Sequence, residues 1–157
     1  MSNETSEHKV NRAHWPPGPW NDEPDKVNWT TEAGLPGMIV RNNLGSLCGY
    51  VAVAKGHPLY GKGYGDGDLD RIDVHGGLTF AAGCSGAVCH TPDPGETDDV
   101  WWFGFDCAHC GDWSPPSFPP GLLGSDRSHP RTGEVYRDIA YVTAEVESLA
   151  AQLVGSP

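Results

Sequence analysis

The chain has 157 residues, of which 38% are hydrophobic, and it contains 21 Gly and 14 Pro. This length and composition exclude two large cores and predict one domain of short elements joined by many turns. Ten basic against 21 acidic residues give a formal net charge of −11, which excludes a long nucleic acid as a general partner because the field repels phosphates. A small nucleotide held in a closed site is not excluded.

The N-terminal residues 1–12 are polar and without pattern, which predicts a flexible tail ahead of a single domain at 13–157. Residues 1–9 lack the apolar centre of a signal peptide. No apolar run approaches the length needed to span a bilayer, so no membrane contact is expected. The sequence therefore predicts a cytoplasmic protein.

Residues 13–36 form a Pro/Trp-rich arm that contains the string HWPPGPWNDEPD at 14–25. Prolines hold such a segment extended, and its tryptophans are costly to leave in water, so we expect the arm to wrap onto the domain. In one interpretation the arm covers a sheet edge. In the other, Trp20, Asn21 and Glu23 form one wall of a ligand site.

The central region has the composition of short strands joined by loops rich in Gly and Pro. Strands are predicted at residues 38–41, 47–53, 69–74, 78–82 and 100–105, with a turn at 42–45. The longest connections are residues 56–67, 84–99 and 114–131. Loops of that length usually have a function.

The C-terminal residues 133–154 are predicted to form the single long helix. Apolar residues recur there at alternating steps of four and three, which makes one narrow stripe. Such a stripe packs on the sheet or pairs with a second copy in a homodimer, and spacing does not decide between them. The fold class predicted is therefore α+β, with a small antiparallel sheet, long Gly/Pro-rich loops and one C-terminal helix.

The first candidate functional segment is VHGGLTF at 74–80. Gly76 and Gly77 would let a ligand approach the backbone and would leave N–H groups that can hold an anion. We predict catalytic roles for His75 and Thr79 and phosphate binding by the two glycines. A histidine that only stabilises a turn is an equally good interpretation of this string alone.

The second candidate segment is FDCAHCGD at 105–112, which directly follows a predicted strand. The three-residue step from Asp106 to His109 would place both side chains on one side of a turn. A carboxylate beside an imidazole fixes its tautomer and raises its basicity, as general acid–base catalysis requires. We predict His75 and His109 as an acid–base pair, with Asp106 orienting His109 and Asp112 among the ligand-binding residues, whereas residues that merely cap turns are the alternative.

The five cysteines cannot all pair within one chain, and without an export signal we expect reduced thiols. The Cys107–Cys110 spacing is typical of a zinc knuckle, and Cys84 and Cys89 would complete a tetrahedral site. The 84–89 spacing is wider than usual, so the zinc pattern is only partial. A catalytic ion held by the histidines and aspartates is a separate alternative to catalysis without a cofactor.

Aromatic and basic side chains supply the remaining candidates for ligand binding. Residues 101–103 are three consecutive aromatics, so alternation sends at least one outward, and Trp102 or Trp20 would stack on a nucleobase. Packing under the arm is the structural alternative. Lys62, in the glycine-rich loop, is the cation that we expect to meet a phosphate.

Four strings resemble a family of small proteins carried by tailed phages, including phages of actinobacteria: HWPPGPWNDEP from 14, VHGGLTF from 74, WWFGFDCAHCGD from 101 and YRDIAYVTAEV from 136. The family is similar to phage enzymes that disarm CBASS immunity by degrading cyclic-nucleotide messengers such as 3′,3′-cyclic GMP–AMP. The resemblance implies the cytoplasm of an infected bacterium as the location. It implies that the motif positions His75, Thr79, Asp106 and His109 carry the activity.

The function predicted from these observations is a metal-independent phosphodiesterase that cleaves a cyclic dinucleotide and so evades host immunity. A nucleotide sponge, which binds the same messenger without cleaving it, is the second hypothesis. A zinc-stabilised inhibitor of a host protein is the third.

Overall fold

The computed structural model describes the backbone of residues 4–6 and residues 10–89, 99–116, 119–121 and 127–155. Its strands and its helix are β1 (Glu4–Ser6), β2 (Lys26–Thr30), β3 (Pro36–Arg41), β4 (Leu47–Ala54), β5 (Phe80–Ala82), β6 (Val100–Asp106), β7 (Asp112–Trp113), β8 (Val135–Tyr136) and α1 (Ile139–Val154). Two short 3₁₀ turns lie at Pro19–Asp22 and Gly67–Leu69.

Six strands form one antiparallel sheet in the order β1-β2-β3-β4-β6-β5, and β7 pairs with β8 in a separate parallel ladder. In the central pair, Cys48 lies opposite Asp106 and Tyr50 opposite Gly104. This confirms the predicted α+β class, with an antiparallel sheet and one C-terminal helix. The turn predicted between β3 and β4 is also confirmed, since Gly45 N–H donates to Asn42 O at 3.0 Å.

The two faces of the sheet carry different apolar clusters. The face against α1 buries Ile39, Val51, Val53, Phe103 and Phe105 from the strands with Val142, Val146, Leu149 and Leu153 from the helix. The opposite face buries Met38, Ala52, Val88, Val100 and Trp102. Because successive strand side chains alternate, Cys48, Tyr50 and Asp106 lie on the face away from α1.

The helix is shorter than predicted and begins at Ile139 rather than at 133. Asp138 is its N-cap, and the carboxylate accepts the backbone N–H of Tyr141 at 2.8 Å. Val135 was predicted as part of the helical stripe, but it lies in β8 and is exposed. The stripe itself packs on β3 and β4, so this chain's own sheet covers it and a dimer would need other helix residues. Within the described residues, no helix is both long and apolar enough to cross a membrane.

The N-terminal predictions need two corrections. Glu4–Ser6, expected to be part of a tail, pairs with β2 at the edge of the sheet. Residues 26–30, expected to be part of the arm, form β2 itself. The arm before them is anchored by Arg12, whose guanidinium donates to Trp20 O, Asn21 O and Glu23 O at 2.7–3.1 Å.

The strand predicted at 69–74 is absent. The apolar side chains of Leu69, Ile72 and Val74 reach the core from a loop. The loop follows the 3₁₀ turn that ends at Leu69, and in it Ile72 N–H donates to Leu69 O at 3.0 Å. The strand predicted at 78–82 is reduced to Phe80–Ala82. The spacing of apolar residues at 69–74 therefore reflects side chains that a loop buries in the core, and not a strand.

Candidate active site

An open cleft of about 540 Å³ lies on the sheet face away from α1, at the end of β6. Its lining residues are Asn42, Cys48, Tyr50, Thr79, Phe80, Phe105, Asp106, Ala108 and His109. Three of the four residues predicted to be catalytic are therefore found together in one cavity. The fourth, His75, lies behind His109, with 6.2 Å between the ring centroids.

Asp106 and His109 form the polar centre of the cleft. Asp106 Oδ1 lies 3.1 Å from His109 Nε2, and Asp106 Oδ2 accepts the Thr79 hydroxyl at 3.0 Å. The 3.1 Å contact is an ion-pair distance without hydrogen-bond angles, and Nε2 is buried with no other hydrogen-bond partner among the described residues. The His109 side chain is 35% exposed and lines the cleft, so part of the ring is open to a ligand.

Gly76 holds the other side of the His109 ring. A Cβ on this residue would lie 2.2 Å from His109 Cδ2 and 2.3 Å from Nε2, so only a glycine permits this approach. Its φ of 70° also lies in the left-handed region. The VHGGLTF segment therefore contributes His75 and also the Gly76 backbone surface on which the His109 ring packs.

Two aromatic side chains form an apolar wall of the cleft. The rings of Tyr50 and Phe80 meet edge to face, with centroids 5.3 Å apart. Gly104 makes room for Tyr50, since a Cβ there would lie 2.3 Å from Tyr50 Cδ1. Burial is the main cause that raises the pKa of the Tyr50 hydroxyl, so it stays protonated at neutral pH.

Behind the cleft, Asp112, His75 and Tyr141 form a continuous hydrogen-bonded chain. His75 Nε2 lies 2.8 Å from Asp112 Oδ2, and His75 Nδ1 lies 2.8 Å from the Tyr141 hydroxyl. The His75 backbone N–H also donates to Glu145 Oε1 at 2.8 Å. Both ring nitrogens of His75 are thus engaged by the protein.

Asp112 connects this chain to the cleft, and its side chain is only 1% exposed. The carboxylate accepts Arg137 Nε at 2.9 Å and the backbone N–H of His109 at 3.0 Å, in addition to His75. Burial opposes its ionisation, but the hydrogen bonds from His75, Arg137 and His109 outweigh that effect and lower the pKa of Asp112. Asp112 is therefore a buried anion that fixes both histidine segments.

The structure brings together the predicted residues His75, Gly76, Thr79, Asp106, His109 and Asp112. It does not support the phosphate role of the Gly77 amide, because that N–H donates to Val74 O at 2.9 Å within a turn. Arg137, Tyr141 and Glu145 are site residues that sequence reasoning missed. The signal available for them was a row of polar residues at steps of four, positions 137, 141 and 145, beside the apolar stripe of the helix predicted at 133–154.

Four residues predicted to bind ligand lie elsewhere. Trp20 packs on Trp113 and Tyr136, with centroids 4.9 and 5.2 Å away, and Asn21 Nδ2 donates to Pro16 O at 3.0 Å. Trp102 is fully buried, so it cannot stack on a ligand. Lys62 Nζ lies 3.0 Å from Asp68 and 3.8 Å from Asp66 in an outer loop. These four side chains make packing, hydrogen-bond or ion-pair contacts within the protein, and none of them lines the cleft.

The cysteines do not form the zinc site that was weighed as an alternative to a site without metal. Cys84 and Cys89 are joined in a disulfide, which also corrects the expectation that all thiols are reduced. Cys107 is buried and Cys110 is exposed. No cluster of three or more potential metal ligands occurs in the described parts of the chain. The zinc-stabilised version of the inhibitor hypothesis therefore loses its basis.

Cys48 lies in the cleft but is not a nucleophile of the usual kind. Burial, and after it the charge of Asp106, raises the pKa of the Cys48 thiol to about 11. A thiol attacks as the thiolate, so this group is inactive at neutral pH. His109 remains the candidate for acid–base chemistry among the residues that line the cleft.

Comparisons with models of protein families, with curated proteins and with solved structures found no match to this chain.

Proposed function

We propose that this protein is a phosphodiesterase that cleaves a cyclic dinucleotide, such as 3′,3′-cyclic GMP–AMP, with His109 as the general base. The observation that carries the proposal is that His109 lines the cleft with Asp106 Oδ1 3.1 Å from its Nε2. A carboxylate on one ring nitrogen favours the tautomer in which the other nitrogen is the base.

In the proposed reaction, Nδ1 of His109 takes the proton of a ribose 2′-hydroxyl. The 2′-oxygen attacks the neighbouring phosphorus, a P–O2′ bond forms, and the P–O5′ bond breaks. The departing 5′-oxygen receives a proton, which leaves a 2′,3′-cyclic phosphate and a free 5′-hydroxyl. Acid–base assistance of this kind contributes roughly 10²–10⁴-fold to a rate.

The walls of the cleft support a small nucleotide better than a polymer. Tyr50 and Phe80 offer aromatic surface for a base. No Lys or Arg occurs among the described residues that line the cavity, and Arg137 belongs to the neighbouring group of side chains around Asp112. Arg137 uses Nε–H for Asp112, and a guanidinium carries further N–H donors.

The test is incubation of the protein with a panel of cyclic dinucleotides, followed by chromatography of the products. The first product has the same mass as the substrate, so separation rather than mass alone must detect it. We expect cleavage by the wild-type protein in EDTA and loss of cleavage in His109→Ala. A wild-type protein that returns every nucleotide unchanged contradicts the proposal.

A sponge that binds the messenger without cleaving it is the second candidate. The observation that favours it is that both ring nitrogens of His75 are engaged by Tyr141 and Asp112, which leaves the proposed reaction without the second histidine that a base and an acid would require. Nucleotide that binds tightly and is recovered intact after denaturation identifies the sponge. Retention of binding in His109→Ala would agree with it, since stacking on Tyr50 and Phe80 does not need that imidazole.

A further inference from the structure

We propose that the disulfide between Cys84 and Cys89 is a site of thiol–disulfide exchange, and that its redox state controls how firmly the aromatic wall of the cleft is packed. The reagent that it would take is a dithiol reductant. The two cysteines are five residues apart in sequence and close a short loop directly after β5. This role does not depend on the proposed phosphodiesterase activity, since it concerns a covalent bond and the wall of a cavity.

The disulfide lies at the surface, where a reagent can reach it. Residues 84–87 are all exposed, and Cys89 is half-buried. Exposed disulfides exchange with other thiols more readily than those that a core encloses, because the attacking thiolate must approach one of the two sulfurs. A thiolate can therefore attack this bond from the side of Cys84.

The exchange transfers two electrons from the dithiol to the protein. One thiolate of the dithiol attacks Cys84 Sγ, so that a mixed disulfide forms and the bond to Cys89 Sγ breaks. The second thiolate of the reagent then attacks the reagent's own sulfur in the mixed disulfide, which releases Cys84 Sγ. The reagent leaves as a cyclic disulfide, and its two protons pass through solvent to the two protein thiolates.

The disulfide closes a small hairpin of residues 84–89, the disulfide hairpin. Ser85 and Val88 form its bridge through two backbone hydrogen bonds of 3.0 Å each, and Gly86 in the turn between them has a positive φ of 55°. A hairpin with so few hydrogen bonds is marginally stable by itself in water. The covalent bond therefore supplies a large part of the constraint that keeps the hairpin closed.

Val88 connects the disulfide hairpin to the cleft. Its side chain is 8% exposed and belongs to the apolar cluster around Trp102, on the sheet face away from α1. Tyr50 and Phe80, the two aromatic side chains that line the cleft, pack against the same cluster. Phe80 also begins β5, a strand of three residues at the edge of the sheet. A hairpin that opens and withdraws Val88 would therefore remove packing beneath the aromatic wall.

The disulfide hairpin also lies beside a second cavity, which gives it room to move. Gly86 and Ala87 line this cavity of about 320 Å³ together with Lys26 and Val40 of the neighbouring strands. Lys26 Nζ donates to Cys89 O at 2.9 Å across it. Reduction would leave the hairpin with this hydrogen bond and the Val88 contact in place of a covalent constraint, so we expect it to open without loss of the sheet–helix core.

The experiment measures hydrogen–deuterium exchange by mass spectrometry in the oxidised wild-type protein and in the same protein after dithiothreitol. Alkylation should detect two additional thiols after the treatment. We expect the amides of residues 80–89 to exchange about tenfold faster or more after reduction, a change within what one short-loop disulfide contributes, while exchange in α1 stays the same. A bond that dithiothreitol does not reduce in the folded protein, unchanged exchange at residues 80–82, or faster exchange throughout α1 would each overturn the proposal.

Variants separate the covalent bond from the Val88 contact. The double variant Cys84→Ser with Cys89→Ser should exchange like the reduced wild type, with or without dithiothreitol, and the wild-type comparison decides the proposal if this variant does not fold. Val88→Ala keeps the disulfide and should speed exchange at residues 80–82 in the oxidised protein. Cys110→Ser is the matched control, since Cys110 is an exposed free cysteine and its variant should respond to dithiothreitol as the wild type does. A folded double variant that still responds, or wild-type exchange in Val88→Ala, would overturn the proposal.

Discussion

The two histidines of the site differ in what surrounds their ring nitrogens. His75 is 14% exposed, and the protein binds both of its nitrogens, whereas His109 is 35% exposed and is held by packing on Gly76 and by an ion-pair contact to Asp106. Since an imidazole works as a base only through a free nitrogen, His109 has the environment of a reacting group. His75 has that of a group that holds its neighbours in place.

The largest expected difference is between the two alanine variants. His109→Ala should lower the cleavage rate by about 10³-fold and change the free energy of unfolding by less than about 0.5 kcal/mol. His75→Ala should also lower the rate, but it leaves Asp112 and Tyr141 without their partner and should destabilise the fold by about 2 kcal/mol. Turnover assays and urea unfolding measure the two effects. If His75→Ala is as stable as His109→Ala, then His75 does not hold its neighbours in place and the proposed difference between the two histidines is wrong.

Asp112→Asn should destabilise the protein by about 3 kcal/mol at pH 7, because it breaks a buried charge pair. The folded-state pKa of Asp112 is lowered, so its stabilising effect is present above the unfolded-state pKa of about 3.9 and is lost as the pH falls through the lower folded-state value. Urea unfolding should therefore show the gap between wild type and variant shrinking below about pH 4. The exposed Asp73→Asn variant should be as stable as the wild type at both pH values. A stability difference between wild type and Asp112→Asn that does not change with pH would contradict the interpretation of Asp112 as a buried anion.

Gly76→Ala and Gly77→Ala form a matched pair at neighbouring positions with positive φ. Both variants should lose about 1 kcal/mol of stability from the left-handed backbone. Only the Gly76 variant places a methyl group on His109, since the Cβ at Gly77 would meet nothing within 4 Å. We therefore expect a loss of cleavage in Gly76→Ala alone, together with shifted His109 ring resonances in NMR spectra. Equal activity in the two variants would show that the close packing of Gly76 on the His109 ring is not needed for cleavage.

The smallest effect is expected at Lys62, which the sequence indicated as a phosphate-binding cation. Its ion pairs with Asp66 and Asp68 lie in a loop outside the cleft. Lys62→Ala should change the rate and the binding of nucleotide by less than about twofold, since exposed pairs contribute little. Equilibrium binding and turnover measurements would detect a larger change, which would return Lys62 to the site.

The parts of the fold that could be predicted are those that a pattern of neighbouring residues in the sequence specifies. The strands β3, β4 and β6 were found because each is a short run of β-branched and aromatic residues between turns. β2 was missed because it follows the proline-rich arm without a strong strand pattern. The helix start was misplaced because Val135 continues the spacing of the stripe, although Asp138 caps the helix three residues later.

The site was predictable in part for a similar reason. Asp106 ends β6, His109 lies in the connection that follows and Asp112 begins β7, while His75 and Asp112 each adjoin a glycine; side chains in such loop positions often meet ligands. Tyr141 and Arg137 were missed because they are 66 and 25 residues from the partners that they bind. No local pattern specifies a contact over such a separation.

By itself, the sequence determined the α+β class, the central strands, the apolar stripe of the helix and the two segments that carry the histidines. These follow from side-chain periodicity and from the backbone freedom of glycine, which act over a few residues. The three-dimensional contacts were needed to show that the stripe packs on the sheet, that His75 is enclosed between Asp112 and Tyr141, and that His109 lines a cleft. Those outcomes depend on which distant side chains occupy each ring nitrogen, and packing of the whole chain alone determines that.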